Sequence, residues 1–256
     1  MPSPQPEALQ GSGWAPYCGA APVPGELAGR WNLDPTLIAV LGLACVAYAL
    51  HRRRGGEGRD AVFAGAVAVL AVAFVSPLCA LSSALFSARV VHHALLVAVA
   101  APLLAFGLPR SRFGFGLGLA ASTALHAVAL WTWHAPAPYA WALSHDLVYW
   151  LMQATLLGSA VAFWSAVRRA GGLPAAAALA ATLVQTGLLG ALITFAGAPL
   201  YAPHVATTLA FGLTPLEDQQ LGGLIMWAPM AGAYLLVALG LVGRSLAPAR
   251  EAGRVA

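Results

Sequence analysis

GLTPLEDQQLGGLIMWAP, residues 212–229, joins a polar, acidic opening to a run fit for lipid or a protein core. Thr214, Pro215 and Glu217 form a helix start: a hydroxyl N-cap, proline at the first helical position, and an acid three residues after the cap. The helix therefore begins ahead of the apolar run and sets Glu217, Asp218, Gln219 and Gln220 at the mouth of a membrane span. At about 100° per residue, Gln219, Met226 and Met230 share one stripe, and Gly222 and Gly223 beside it admit a close neighbouring helix. The stretch predicts a polar site near one membrane surface. The competing reading is an ordinary cap followed by a packing face.

Composition extends the membrane reading to the whole chain. Of 256 residues, 60% are hydrophobic and only 9% charged, a balance no soluble domain of this size could cover with polar surface. The net charge of +4 does not point to nucleic acid, because the arginines lie in short runs between apolar spans, where they mark topology. There is no lysine, which excludes Schiff-base chemistry and every lysine nucleophile. The three cysteines form no CxxC or CxC pair. Cys45 and Cys79 read as buried small hydrophobes, and Cys18 lies in the tail with no specified partner.

Residues 1–30 are rich in Pro, Gly and Ala and lack a basic segment followed by an apolar one, so they read as a flexible outer tail rather than a signal peptide. Seven apolar runs follow near 33–51, 60–82, 89–108, 114–134, 146–168, 174–198 and 219–243, each about the length of a span. The expected fold is an all-α integral membrane protein, a seven-helix bundle over residues 31–244 with a cytoplasmic tail at 245–256. One set of connections carries Arg52, Arg53, Arg54, Arg59, Arg110, Arg112, Arg168, Arg169, Arg244, Arg250 and Arg254; the alternate set has only Arg30 and Arg89. That asymmetry places the N-terminus outside and the C-terminus in the cytoplasm.

This topology sorts the chemistry. His92 and His93 fall just inside span three, His126 and His134 in the outer part of span four, His145 at the start of span five and His204 in the last outer loop. Only His51 is cytoplasmic. Met152, Met226, Met230, Glu217 and Asp218 lie toward the same outer side. Imidazole, thioether and carboxylate together are ligands for a late transition metal, with copper favoured. Adjacent His92 and His93 point about 100° apart, and His126 lies two turns, roughly 12 Å, from His134, which argues against one ion shared by those two. Each histidine taken alone also fits a hydrogen-bonded packing role, and the acids at 217–218 fit a capping box.

The runs RVVHHALLVAVAAPLLAFGLP (89–109), WTWHAPAPYAWAL (131–143) and GALITFAGAPLYAPH (190–204), followed by the opening stretch, resemble the CtaG family of multispanning cytochrome c oxidase assembly factors. The likeness covers most of 60–240. It implies a bacterial inner (plasma) membrane location, a part in maturation of caa-type oxidase, oxidase subunits and a periplasmic copper chaperone as candidate partners besides membrane lipid, and copper handling. In the family's HxxQH pattern His93 matches the last histidine, while Arg89 and His92 stand in the places of the first histidine and the glutamine. His134 matches the histidine of the W-H-x-P turn, and Gln153 stands where many members carry histidine. Glu217, Asp218, Gln219, Gln220 and Met226 match directly.

The combined expectation is a non-enzymatic respiratory-chain assembly factor, a chaperone-like carrier that holds copper at its periplasmic mouth. The candidate ligands are His92, His93, His126, His134, Asp218 and Met226. Two other classes stay open: a scaffold binding oxidase subunits without metal, and a redox protein using His92 or His93 with His126 as axial haem ligands.

Overall fold

Proline and cap pairs set three of the helix starts among the described residues. The computed structural model describes residues 16–109 and 116–246, all helices and connections, with no strand among the described residues. Helix α1 (Pro35–Arg53) opens on Asp34, whose carboxylate accepts from the amides of Thr36 at 2.7 Å and Leu37 at 3.1 Å. The run expected as one span over 60–82 is broken into α2 (Asp60–Phe74) and α3 (Pro77–Ala84), bent by 45°. Pro77 has no N–H to continue the ladder, and Ser76 caps the new start by accepting from the Leu78 amide.

Helix α4 (Phe86–Ala94) passes through a π-helical turn, Leu95–Ala100, into α5 (Ala101–Gly107). Pro102 follows that turn, and Pro229 lies inside a second one, Met226–Met230, between α10 (Pro215–Ile225) and α11 (Ala231–Leu246). The wider turn accommodates a proline that cannot donate to the α ladder. Between these come α6 (Leu119–His134), α7 (Pro136–Ser144), α8 (Asp146–Ala170) and α9 (Gly172–Thr194). The expected capping box is formed: Glu217 N–H donates to the Thr214 hydroxyl, and Thr214 N–H donates to the Glu217 carboxylate.

Five uninterrupted helical stretches are long and apolar enough to cross a membrane: Pro35–Arg53, Phe86–Gly107, Asp146–Ala170, Gly172–Thr194 and Pro215–Leu246. The bent α2–α3 pair makes a sixth if it crosses as one. The span expected at 114–134 starts only at Leu119 and is 16 residues long. Glycines at 116 and 118 precede it, Gly116 in the left-handed region at φ +63°, and they delay the helix. Residues 114 and 115 lie outside the described residues, as do most of the N-terminal tail and the end of the C-terminal one.

α4 sits centrally, packed against α3 and α10, and the π turn that follows it accepts a hydrogen bond from α8, Trp164 Nε1 to Val97 O at 2.9 Å. On the other side α9 meets α10 and α11 at close range. A Cβ on Gly190 would sit 2.8 Å from the Gly223 carbonyl, so the expected close approach at Gly223 is real, and α9 is the partner. Gly222 instead faces the Phe86 ring of α4. Only Leu37 of α1 is buried, and Val40, Leu43 and Val46 lie open on its surface, as lipid contact requires.

The cysteine reading is corrected. Cys18 and Cys79 form a disulfide across 61 residues, and Cys45 is the exposed thiol on α1. Cys79 is fully buried as expected, but as half of a crosslink that fastens the tail to α3.

Candidate functional site: a buried polar chamber

The acidic opening of α10 builds the site by holding another helix. Asp218 is fully buried, and its carboxylate accepts from Phe86 N–H at 2.6 Å, Ser87 N–H at 3.1 Å and the Ser87 hydroxyl at 2.5 Å. It thus caps α4 from outside, meeting the positive end of that helix with a negative charge. Gln219 does similar work for the loop between α9 and α10. Its carbonyl accepts from Leu200 N–H at 2.6 Å, and its amide donates to Ile193 O at 3.2 Å and Ala198 O at 3.4 Å.

With its start fixed, α4 projects Arg89, His92 and His93 into the interior, none more than 2% exposed. Arg89, counted from sequence as an outer-loop topology marker, is inside a helix instead. The His92 ring meets Phe74 edge-on at 4.9 Å and His93 at 5.8 Å; His93 in turn meets His134 at 5.4 Å. Neither ring nitrogen of His92 or His93 has a hydrogen-bond partner in the protein. His134 Nδ1 lies 2.7 Å from Leu130 O, and since a carbonyl only accepts, Nδ1 carries the proton and Nε2 keeps its lone pair.

Tyrosines enclose this row. The Tyr201 hydroxyl donates to His134 O at 2.8 Å while its ring stacks on Phe86 at 3.7 Å. Tyr139 shares a 2.6 Å hydrogen bond with His204 Nε2. Burial first, and the Arg89 charge second, hold the His204 imidazole down to about 3, so this loop histidine is neutral at physiological pH. Tyr149 lies under the Arg89 guanidinium at 5.3 Å and donates to Cys18 Sγ at 3.5 Å. Tyr17 stacks on Tyr149 at 5.1 Å, so the disulfide-anchored tail closes this flank.

Of the candidate ligands, the structure brings His92, His93 and His134 into one row. His126 stands elsewhere, 3.1 Å from the Ser159 hydroxyl and stacked on Phe163. Asp218 is occupied by the start of α4. Met226 is buried, with its Cβ toward Gly190 of α9. Among the described residues no group of three His, Cys, Asp or Glu side chains is placed to hold a metal ion together. Of these side chains only the three imidazoles stand side by side, and both oxygens of Asp218 are engaged by donors of α4. The Leu130 carbonyl fixes the His134 tautomer in the manner usual for metal-ligating histidines.

Sequence reasoning did not single out Tyr139 as a site residue, and noted Arg89 and Gln153 only as standing where the resembled family carries histidine. An arginine inside an apolar run was the available signal, since an ionisable group at that depth is seldom idle.

The family model for cytochrome c oxidase caa3 assembly factors (Caa3_CtaG) matches residues 42–247. No curated protein and no solved structure matches the chain.

Proposed function

The chain belongs to the family of cytochrome c oxidase caa3 assembly factors, and on that premise we propose that it offers the imidazoles of His93 and His134, with His92 beside them, to copper during oxidase maturation. The observation that carries this reading is the row itself: buried, adjacent imidazoles, of which His92 and His93 have no partner in the protein on either ring nitrogen. Buried polar atoms in a folded protein ordinarily find partners, so a cluster that does not is shaped for something else. Neutral imidazole suits copper, and a sparse ligand set releases its cargo more readily than a closed thiolate cage. The role is binding and release, with no bond made or broken in a substrate.

The proposal places the chamber on the periplasmic side of a bacterial plasma membrane, with α6 as a seventh crossing and the N-terminus outside. Two independent features support that orientation. Eleven arginines lie on the opposite set of connections. The Cys18–Cys79 bond belongs in an oxidising compartment, which the periplasm is and the cytoplasm is not. Oxidase subunits and a copper donor would then meet the protein at its outer loops.

The test is copper content of purified protein loaded with Cu(I) under mild reduction, wild type beside a His93→Ala/His134→Ala double variant, with oxidase assembly followed in cells. Near-stoichiometric copper in the wild type, lost in the variant along with assembly, is the expected result. Absence of copper from both, with assembly intact in the variant, removes the carrier role and leaves a scaffold.

A further inference from the structure

Arg89 is the largest fully buried side chain among the described residues. Its Nε, Nη1 and Nη2 meet no acceptor in bonding geometry, and neither ion pair among the described residues includes it. A guanidinium does not shed its proton in a protein, so it cannot escape burial by becoming neutral. A buried charge without a counter-charge is strongly disfavoured. The surroundings do not supply one. The Tyr149 ring gives a cation–π contact, and the Tyr139 and Tyr149 hydroxyls are neutral neighbours of the guanidinium that bring no negative charge. Asp218, whose charge is felt at Tyr139 as Arg89's is, has both oxygens on the donors at the start of α4.

A second orphan stands on the same tyrosine. Gln153, one turn along α8 from Tyr149, is 2% exposed, and neither its amide nitrogen nor its oxygen has a hydrogen-bond partner in good geometry. We infer that Arg89 and Gln153 form a binding site for an oxyanion, the carboxylate or phosphate group of a ligand. The guanidinium fork matches two oxygens of such a group side by side, and the Gln153 amide supplies a further donor.

Gln153 also shows how the ligand arrives. With Phe74, whose ring abuts His92, it lines a cavity of about 470 Å³ between α1, α2 and α8. A second cavity of about 740 Å³ shares Leu70, Ala154 and Leu157 with the first and continues it along the bundle. The walls of this cleft are mainly apolar, so it accepts the tail of an amphiphile whose head reaches Gln153. Asp34 and Asp146 also line it, which disfavours small free anions on this route. The oxyanion comes either on an amphiphile that enters by this cleft or from solution by another way. The site stands without copper, since neither residue is among the imidazoles proposed to hold the metal.

The test uses metal-free full-length protein in phosphatidylcholine nanodiscs. Thermal unfolding is followed while acetate, inorganic phosphate or oleate is titrated, with sodium chloride at matched ionic strength as the control. The wild-type midpoint is expected to rise by about 3 °C or more with at least one oxyanion and not with chloride. Arg89→Met and Gln153→Leu should not respond. Arg89→Lys keeps the charge and loses the fork, so its response should be weak; it stands in if Arg89→Met does not fold. A response to acetate or phosphate assigns a dissolved ion, and a response to oleate alone assigns an amphiphile. A wild-type midpoint unmoved by all three, or moved equally in Arg89→Met and Gln153→Leu, overturns the site.

Discussion

Replacing Asp218 with alanine should destabilise the protein by about 4 kcal/mol, whether or not copper is present. The figure follows from three donors. The Phe86 and Ser87 amides are buried in the protein interior and cannot rotate to another acceptor; each left unsatisfied costs about 1–3 kcal/mol. The Ser87 hydroxyl can turn elsewhere and adds little. Loss of a negative charge at the start of α4 removes up to about 2 kcal/mol more. For a chain of this size the thermal midpoint should fall by roughly 8–16 °C. Asp218→Asn keeps one acceptor oxygen and should cost about half as much. Ser87→Ala alone should cost about 1 kcal/mol, and nearly nothing in the Asp218→Ala background, since the bond it removes is already gone. Thermal unfolding in detergent, followed by near-ultraviolet circular dichroism, measures the wild type and all four variants. A loss below about 1 kcal/mol for Asp218→Ala, with copper binding abolished, would show that the carboxylate is a ligand and that its capping role is incidental.

Three further outcomes follow from the same structure. Gly223→Ala pushes a Cβ into the Gly190 carbonyl and the Thr194 hydroxyl and should cost about 1–3 kcal/mol, whereas Gly232→Ala meets nothing within 4 Å and should be neutral; equal midpoints would refute the close α9–α10 contact. Stability should fall as pH drops from about 6.5 toward 3, because unfolded His204 takes up a proton that the folded residue refuses until about 3. This residue alone contributes a slope of roughly 1.4 kcal/mol per pH unit in that window, and a slope unchanged in His204→Gln would be inconsistent with it. Cys79→Ser, or reduction of the wild type, should lower stability by about 2–4 kcal/mol, and reductant without effect on the midpoint would count against the crosslink.

What the sequence made legible was local. Thr214, Pro215 and Glu217 carry their instruction within four residues, and the capping box forms as read. The proline at 77 was equally local, yet the run over 60–82 was taken whole because its hydropathy hides the break. The hold of Asp218 on α4 could not be read, because the amides it serves lie 131 and 132 residues away and its neighbours offer a sufficient capping explanation of their own. The same holds for Cys18 and Cys79, whose pairing depends on where the tail lies against α3. The grouping of histidines pointed to a shared site, and His92, His93 and His134 do stand in one row. His126 shares their composition but faces Ser159, since a shared helix does not mean a shared face.

The two π turns have a consequence for how this chain tolerates change in length. Each can be described as a helix carrying one residue more than its α form requires, absorbed at Leu95–Ala100 and at Met226–Met230. Deleting a single residue from the first would restore regular spacing and improve the helix as a helix. It would also turn the segment before it about 100° relative to the segment after it. Arg89, His92 and His93 would then leave Tyr149 and His134, while α5 kept its place against α8. The surplus residue thus acts as a phase shift between two halves that answer to different neighbours. A shorter, more regular α4 would fit the membrane as well and present the wrong face to the chamber.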